Sequence, residues 1–250
     1  MTEVSREELM IAAIARLILD PAAPPARHIA VGAASAIPAA ACLLVREMGR
    51  DVRLSFLHLR KGNPFTDGTR ELFDLAGQGR LDLFFLGGGQ IDGQANLNLI
   101  GTGEWPGRDV RFPGSYGSAF MYFMTPRTIL FREEHTTRVM VPRVDFISAP
   151  GVSAPRVFRR GYAQALVTGR CVFRFDPSRG FTLDSVHSGE SPASVRDNTG
   201  FDYEAPPDVP VTATPDGAML ALLRGKVCEA MMETYPAFCA RVWGRARIAA

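Results

Sequence analysis

Apolar side chains recur at helical spacing near the start of the chain. Met10, Ile11, Ile14, Leu17 and Ile18 share one face, behind an S-x-x-E capping box at Ser5 and Glu8. This predicts a helix over residues 6–19, ended by the proline-rich stretch 20–25. The period then shortens. "HIAVG" (28–32) reads as a strand ending on glycine, and "IPAAACLLVREMG" (37–49) as a helix with proline in its first turn and glycine at its end. "VRLSFL" (52–57) is a strand, "TRELFDLAGQG" (69–79) a short helix, and "LDLFFL" (81–86) a strand. The last is apolar almost throughout, as a central strand covered on both faces should be. Strand, helix, strand, helix, strand predicts an α/β fold, an open, mainly parallel sheet with crossover helices.

The second half is less regular. "LNLIGTG" (97–103), "RTILF" (127–131), "RVMVP" (138–142) and "RCVFRFD" (170–176) read as strands, while "AFMYFM" (119–124) fits either period. "SPASVRDNTG" (191–200) predicts a short helix, and residues 215–245 a helical C-terminal extension. There is no fixed-period repeat and no clear linker, so the expectation is one domain over 1–250, with a helical N-terminal segment (about 5–20) and that extension packed on it.

Composition narrows the function classes. The chain has 250 residues, 46% hydrophobic and 22% charged, with a net charge of +2. That is long enough for a sizeable core and ordinary for a globular protein. The arginines are scattered, so no basic stripe points to nucleic acid. No apolar run reaches the roughly 18 residues of a membrane span, and the N-terminus, with three early glutamates, does not read as a secretory signal. Cys42, Cys171, Cys228 and Cys239 form no CxxC pair and read as buried free thiols of a cytoplasmic protein, with no metal site.

In an open parallel sheet, ligands bind at the carboxyl ends of the strands. Three segments leave such ends: "VGAASAIP", "HLRKGNPFTDG" and "FLGGGQIDGQANLN". Glycines there let backbone N–H groups face a ligand, and a pair of such groups can stabilise an oxyanion. The plain alternative is a turn, and composition alone favours it. Nucleotide, zinc and serine-hydrolase motifs are absent: no GxxxxGK[ST], no HExxH and no GxSxG occurs, and "GTGEWPG" does not fit GxGxxG. His28, His58, His135 and His187 are isolated and read as packing or surface residues, and "REEH" (132–135) as a solvated turn.

Taken in order, "FLGGGQIDGQANLN", "PGSYGSA" (113–119) and "RVDFISAPG" (143–151) resemble the β subunits of family I CoA-transferases, the glutaconate CoA-transferase type above all. "VGAASAIP", "VTGRCVFRFD" (167–176) and "SVHSGESPASVRDNTGFDY" (185–203) extend the resemblance to residues 28–204. A sugar-phosphate isomerase on a related fold would share only the architecture. The resemblance implies the CoA-transferase fold and an acyl-CoA thioester as substrate. It also implies a CoA-transferase α subunit as partner, in a heterodimer or heterotetramer with the active site between the chains. No cofactor is implied, coenzyme A being a substrate. Gly87, Gly88, Gly89 and Gln90, with Ser35, Asn96 and Gly114, would contact the substrate.

In the transferases a β-chain glutamate just after the second strand attacks the thioester, giving an acyl-anhydride and then a glutamyl-CoA thioester. This chain has no glutamate between Asp51 and Arg70; Leu57, His58 or Leu59 falls near the expected position. A subgroup that resembles these proteins also lacks the glutamate and is linked to steroid-ring degradation. Its members hydrolyse a carbon–carbon bond in a cyclic CoA thioester, using groups of the α chain. That ring-opening hydrolase is one alternative, and a non-catalytic CoA-binding subunit is another. His58 is a candidate general base. Arg60 and Lys61 are candidates to meet CoA phosphates.

Overall fold

The structure, a computed structural model, describes residues 3–59, 62–104 and 106–245. Arg60 and Lys61 therefore lie outside the described residues. Its centre is a seven-stranded sheet. The strands are β1 (His28–Val31), β2 (Arg53–Phe56), β3 (Leu83–Leu86), β8 (Arg127–Arg132), β9 (Tyr162–Thr168), β10 (Cys171–Asp176) and β11 (Gly180–Val186). They run in the order β11-β10-β9-β8-β3-β1-β2. From β9 to β2 every pairing is parallel, and β10 and β11 add an antiparallel hairpin at the far edge. The parallel expectation holds for the middle of the sheet, and the hairpin is the part the first half of the pattern could not announce.

Both faces of the sheet are covered, which explains why β1 and β3 are buried at every position. One face carries α1 (Arg6–Ile18), α2 (Ala36–Glu47) and the C-terminal helices. The other carries α3 (Thr69–Gly77) and α4 (Ser118–Met124), which the ambiguous "AFMYFM" forms. The Ser5–Glu8 capping box is present and begins α1 as the sequence predicts. The end of α1 is held by a buried arginine rather than by a glycine. Arg127, 4% exposed at the start of β8, donates to the carbonyls of Leu17 at 2.8 Å and Ile18 at 3.3 Å. A cation there also suits the negative end of the helix dipole.

Between β3 and β8 the chain makes two small ribbons. β4 (Gln90–Ile91) pairs with β5 (Leu97–Asn98), and β6 (Gly101–Thr102) with β7 (Val110–Arg111). The strand expected over 97–103 is thus split between two ribbons. The strand expected over 138–142 does not form. Arg138 and Val139 lie in a turn, and Met140 alone makes a bridge, to Ile91. Val139 accepts the Ile91 amide at 2.7 Å and Val141 donates to the Ile91 carbonyl at 2.9 Å, so the segment lies along β4 as a single bridge and not as a strand.

The C-terminal segment is helical as expected but interrupted. α6 (Gly217–Leu222) runs through a π-helical turn, Leu223–Val227, into α7 (Cys228–Met231), and α8 (Pro236–Trp243) restarts at a proline. α5 (Pro192–Asp197) has a serine capping box of its own. Among the described residues no helix is long and apolar enough to cross a membrane. All four cysteines are buried and free.

Candidate functional site

The carboxyl ends of β1, β3 and β8 open into one cleft of about 550 Å³. Ala34 and Ser35 line it after β1, Gly87, Gly88 and Gly89 after β3, and Arg132, Glu133 and Glu134 after β8. Phe112 and Pro113 close it from the ribbon side. The parallel sheet places these segments together, as the strand-end rule requires.

Close packing against the chain itself explains the three glycines. A Cβ on Gly87 would stand 2.7 Å from the Phe131 carbonyl oxygen, one on Gly88 2.6 Å from that of Gln90, and one on Gly89 would overlap the Phe112 ring. Each approach is closer than real Cβ contacts allow, so any side chain would push the β3 exit away from β8 or from the ribbon. The turn and the site are therefore the same object. The glycines let the backbone lie flat between its neighbours, and that flat backbone is the cleft floor.

The amides that follow hold the loop. The Asn98 side-chain amide donates to Gln90 Oε1 at 2.7 Å and to the Gly101 carbonyl at 2.8 Å. Gln90 Oε1 also accepts the Asp145 amide at 3.0 Å. Asp92 Oδ1 accepts the backbone amides of Gln94 and Asn96, each at 3.1 Å. Asn96 Oδ1 accepts the Gly151 amide at 2.9 Å. Gly114 donates its amide to the Leu99 carbonyl at 3.0 Å. The stretches "FLGGGQIDGQANLN", "PGSYGSA" and "RVDFISAPG" are thus tied by hydrogen bonds into one framework.

This placement separates the residues expected to bind substrate. Gly87, Gly88, Gly89 and Ser35 line the cleft. Gln90 and Asn96 are buried, 5% and 4% exposed, with their side-chain oxygens already engaged, and neither lines it. Gly114 is exposed beside Pro113 with a positive φ of 109°. At the end of β2, Leu57 and Leu59 are half-buried and His58 is exposed, its ring stacked on that of Tyr235 with centroids 5.8 Å apart. Leu59 lines a separate cleft behind β2.

"REEH" is more than the solvated turn its composition suggests, since three of its residues wall the cleft. Glu134 accepts from Thr136 at 2.9 Å and from both Nε and Nη2 of Arg138, at 3.1 and 2.5 Å. Burial pulls its carboxyl upward, but the bonds from Thr136 and Arg138 and the charges of Arg138 and Arg132 outweigh this and hold it below its ordinary value. Arg132 lines the wall with its guanidinium partly exposed, its Nη2 3.4 Å from Glu134 and its Nε buried without a hydrogen-bond partner. The signal for this wall was available. "RTILF" reads as a strand, and the strand-end rule applied to it points at 132–134. His135, by contrast, is a packing histidine, held between the Thr168 and Thr199 hydroxyls at 2.8 and 2.9 Å.

The coenzyme A transferase family model matches residues 8–195. The chain belongs to that family. It is 29% identical over 151 residues to the B subunit of glutaconate CoA-transferase of Acidaminococcus fermentans, covering 57% of this chain and 56% of that protein. It is 30% identical over 160 residues to the cholesterol ring-cleaving hydrolase IpdB subunit of Rhodococcus jostii, covering 62% of each. The matched stretch therefore spans less than two thirds of those curated relatives. The crystal structure of Rhodococcus jostii IpdAB superimposes with a TM-score of 0.76 at 25% identity, covering 90% of this chain and 94% of that one.

Proposed function

We propose that this chain is the β subunit of an enzyme that acts on an acyl-CoA thioester together with a CoA-transferase-type α subunit, as a heterodimer or heterotetramer. The observation that carries this reading is the glycine-floored cleft at the carboxyl ends of β1, β3 and β8, in a chain of the coenzyme A transferase family. Its floor brings up the main chain of Gly87 and Gly88 and its wall the Arg132 guanidinium, suited to an oxygen or phosphate of the thioester. CoA is a substrate here and no other cofactor is invoked. The relatives, themselves named as subunits, support the need for a partner chain. The four buried, unpaired thiols suit the cytoplasm.

A second reading, the ring-opening hydrolase, is favoured by one observation. The end of β2 presents Leu57, His58 and Leu59 where the glutamyl-thioester route needs a carboxylate. With none there, the acid or base comes from the α chain. Water then adds across a carbon–carbon bond, one carbon gaining the hydroxyl of a carboxyl group and the other a hydrogen, and the thioester stays intact. The IpdB relative carries a hydrolase name, which supports this alternative. A β chain that only binds CoA is the remaining possibility.

Product analysis separates them. The chain is co-purified with a CoA-transferase-type α subunit and incubated with acyl-CoA donors, a carboxylate acceptor and a cyclic acyl-CoA. CoA moved to the acceptor identifies the transferase. A product one water heavier that retains CoA identifies the hydrolase. No change in any thioester contradicts both.

A further inference from the structure

A second cleft, of about 310 Å³, lies behind edge strand β2. Leu54 and Phe56 of β2, Ala39 and Leu43 of α2, Leu59 and Met231 give it apolar walls. Thr234 and Tyr235 also line it, and neither buried hydroxyl finds an acceptor for its O–H. An unmet buried hydroxyl is costly, which is why such groups are nearly always paired. Two neighbours in one wall, both unmet, point to a partner that enters the cleft.

The position says what that partner is. Leu59 follows β2, where the family resemblance puts the reacting group, and the exposed His58 ring covers Tyr235 from outside. The Ser35 amide faces the Tyr235 hydroxyl, and Ser35 also lines the larger cleft, so the contact between these two residues separates the clefts. A volume of 310 Å³ is at the floor of the roughly 300–1,000 Å³ that small-molecule pockets occupy. It is too small for a whole CoA thioester and has room for one part.

We propose that this cleft receives the acyl group: an aliphatic body held between β2, α2 and the C-terminal segment, bearing an oxygen that accepts from Tyr235 and pairs with Thr234. The proposal rests on the acyl-CoA reading above. The His58 ring swings off Tyr235 to admit the chain. Burial pushes the Tyr235 phenol up against the opposing pull of the Ser35 amide, so at neutral pH it is a protonated donor and not a base.

The test uses the co-purified complex and calorimetric affinities for CoA, hexanoyl-CoA and 6-hydroxyhexanoyl-CoA. Tyr235→Phe should weaken 6-hydroxyhexanoyl-CoA about 3- to 10-fold. It should leave CoA and hexanoyl-CoA unchanged. Ala230→Trp, at an exposed position of the cleft wall, should weaken both acyl thioesters and spare CoA. A lowered ligand-free Tm in Tyr235→Phe, with no selective loss for the hydroxyacyl thioester, would mean a structural or water-bridged hydroxyl and would overturn the proposal. So would acyl affinities untouched by Ala230→Trp. If the unaltered complex binds neither CoA nor its thioesters, the acyl-CoA reading itself falls, and this proposal with it.

Discussion

Arg224 grips Glu8 across the molecule, with Nε 2.6 Å from one carboxylate oxygen and Nη2 2.8 Å from the other. The same Glu8 accepts the Ser5 amide at 3.0 Å and the Trp243 indole at 3.3 Å. One buried carboxylate therefore begins α1 and fastens the C-terminal segment to it. Burial alone would raise the Glu8 carboxyl, but the Arg224 and Ser5 bonds outweigh it and hold it below its ordinary value. Arg224→Ala leaves that charge buried and should cost roughly 3 kcal/mol in urea unfolding. Adding Glu8→Gln to it should recover part of the loss. Additive effects of the two changes would mean that the pair is not coupled.

Gln90→Ala should cost stability before it costs chemistry. Gln90 Oε1 accepts from both Asn98 and the Asp145 amide, so its removal strands two donors, at about 1–3 kcal/mol. Thermal unfolding checks this. An unchanged Tm with lost turnover would place Gln90 on the substrate instead.

Gly89→Ala should distort the cleft, because its Cβ would run into the Phe112 ring. The double change Gly89→Ala with Phe112→Ala removes the clash and should restore CoA-thioester affinity relative to Gly89→Ala alone. Affinity that follows Gly89 regardless of Phe112 would show that the backbone at that point, not its packing, is what matters.

Acid should weaken the fold through its histidines. Burial, aided by the Arg170 charge, lowers His135 to about 4, and His187 and His28 shift the same way, chiefly by burial. Between pH about 6.5 and about 4 the unfolded chain takes up protons that the folded chain refuses. Stability therefore falls as pH drops through that window, by up to roughly 1.4 kcal/mol per pH unit for His135, and His187 and His28 add to the fall in the same direction. His135→Gln should flatten the slope in urea titrations from pH 7 to pH 5. An unchanged slope would mean that His135 is not the group responsible.

The first half of the fold is legible in the sequence because its periods are unmixed: α1 with its capping box, then β1, α2, β2, α3 and β3. β9 is not, because "YAQALVT", though set between Gly161 and Gly169, carries two alanines and a glutamine and so little strand propensity, and the alternation of β11 gains its meaning only beside its neighbour β10. The glycine loop is legible as a motif, but the role of its amides is not. Asn and Gln look alike whether they face a ligand or tie a loop, and only the partners at Asp145 and Gly151, some 55 positions away, decide it. The cleft wall at Arg132–Glu134 is marked by the end of the "RTILF" strand, but its charge reads as solvent until β8 is seen to run parallel to β3.

Hydrogen–deuterium exchange of the co-purified complex, with and without acetyl-CoA, tests the central claim most directly. Binding at the carboxyl ends of β3 and β8 should slow exchange in peptides covering 86–90 and 131–134, with little change in β10 and β11. Protection confined to other segments, or none at saturating thioester, would contradict the assignment of this cleft.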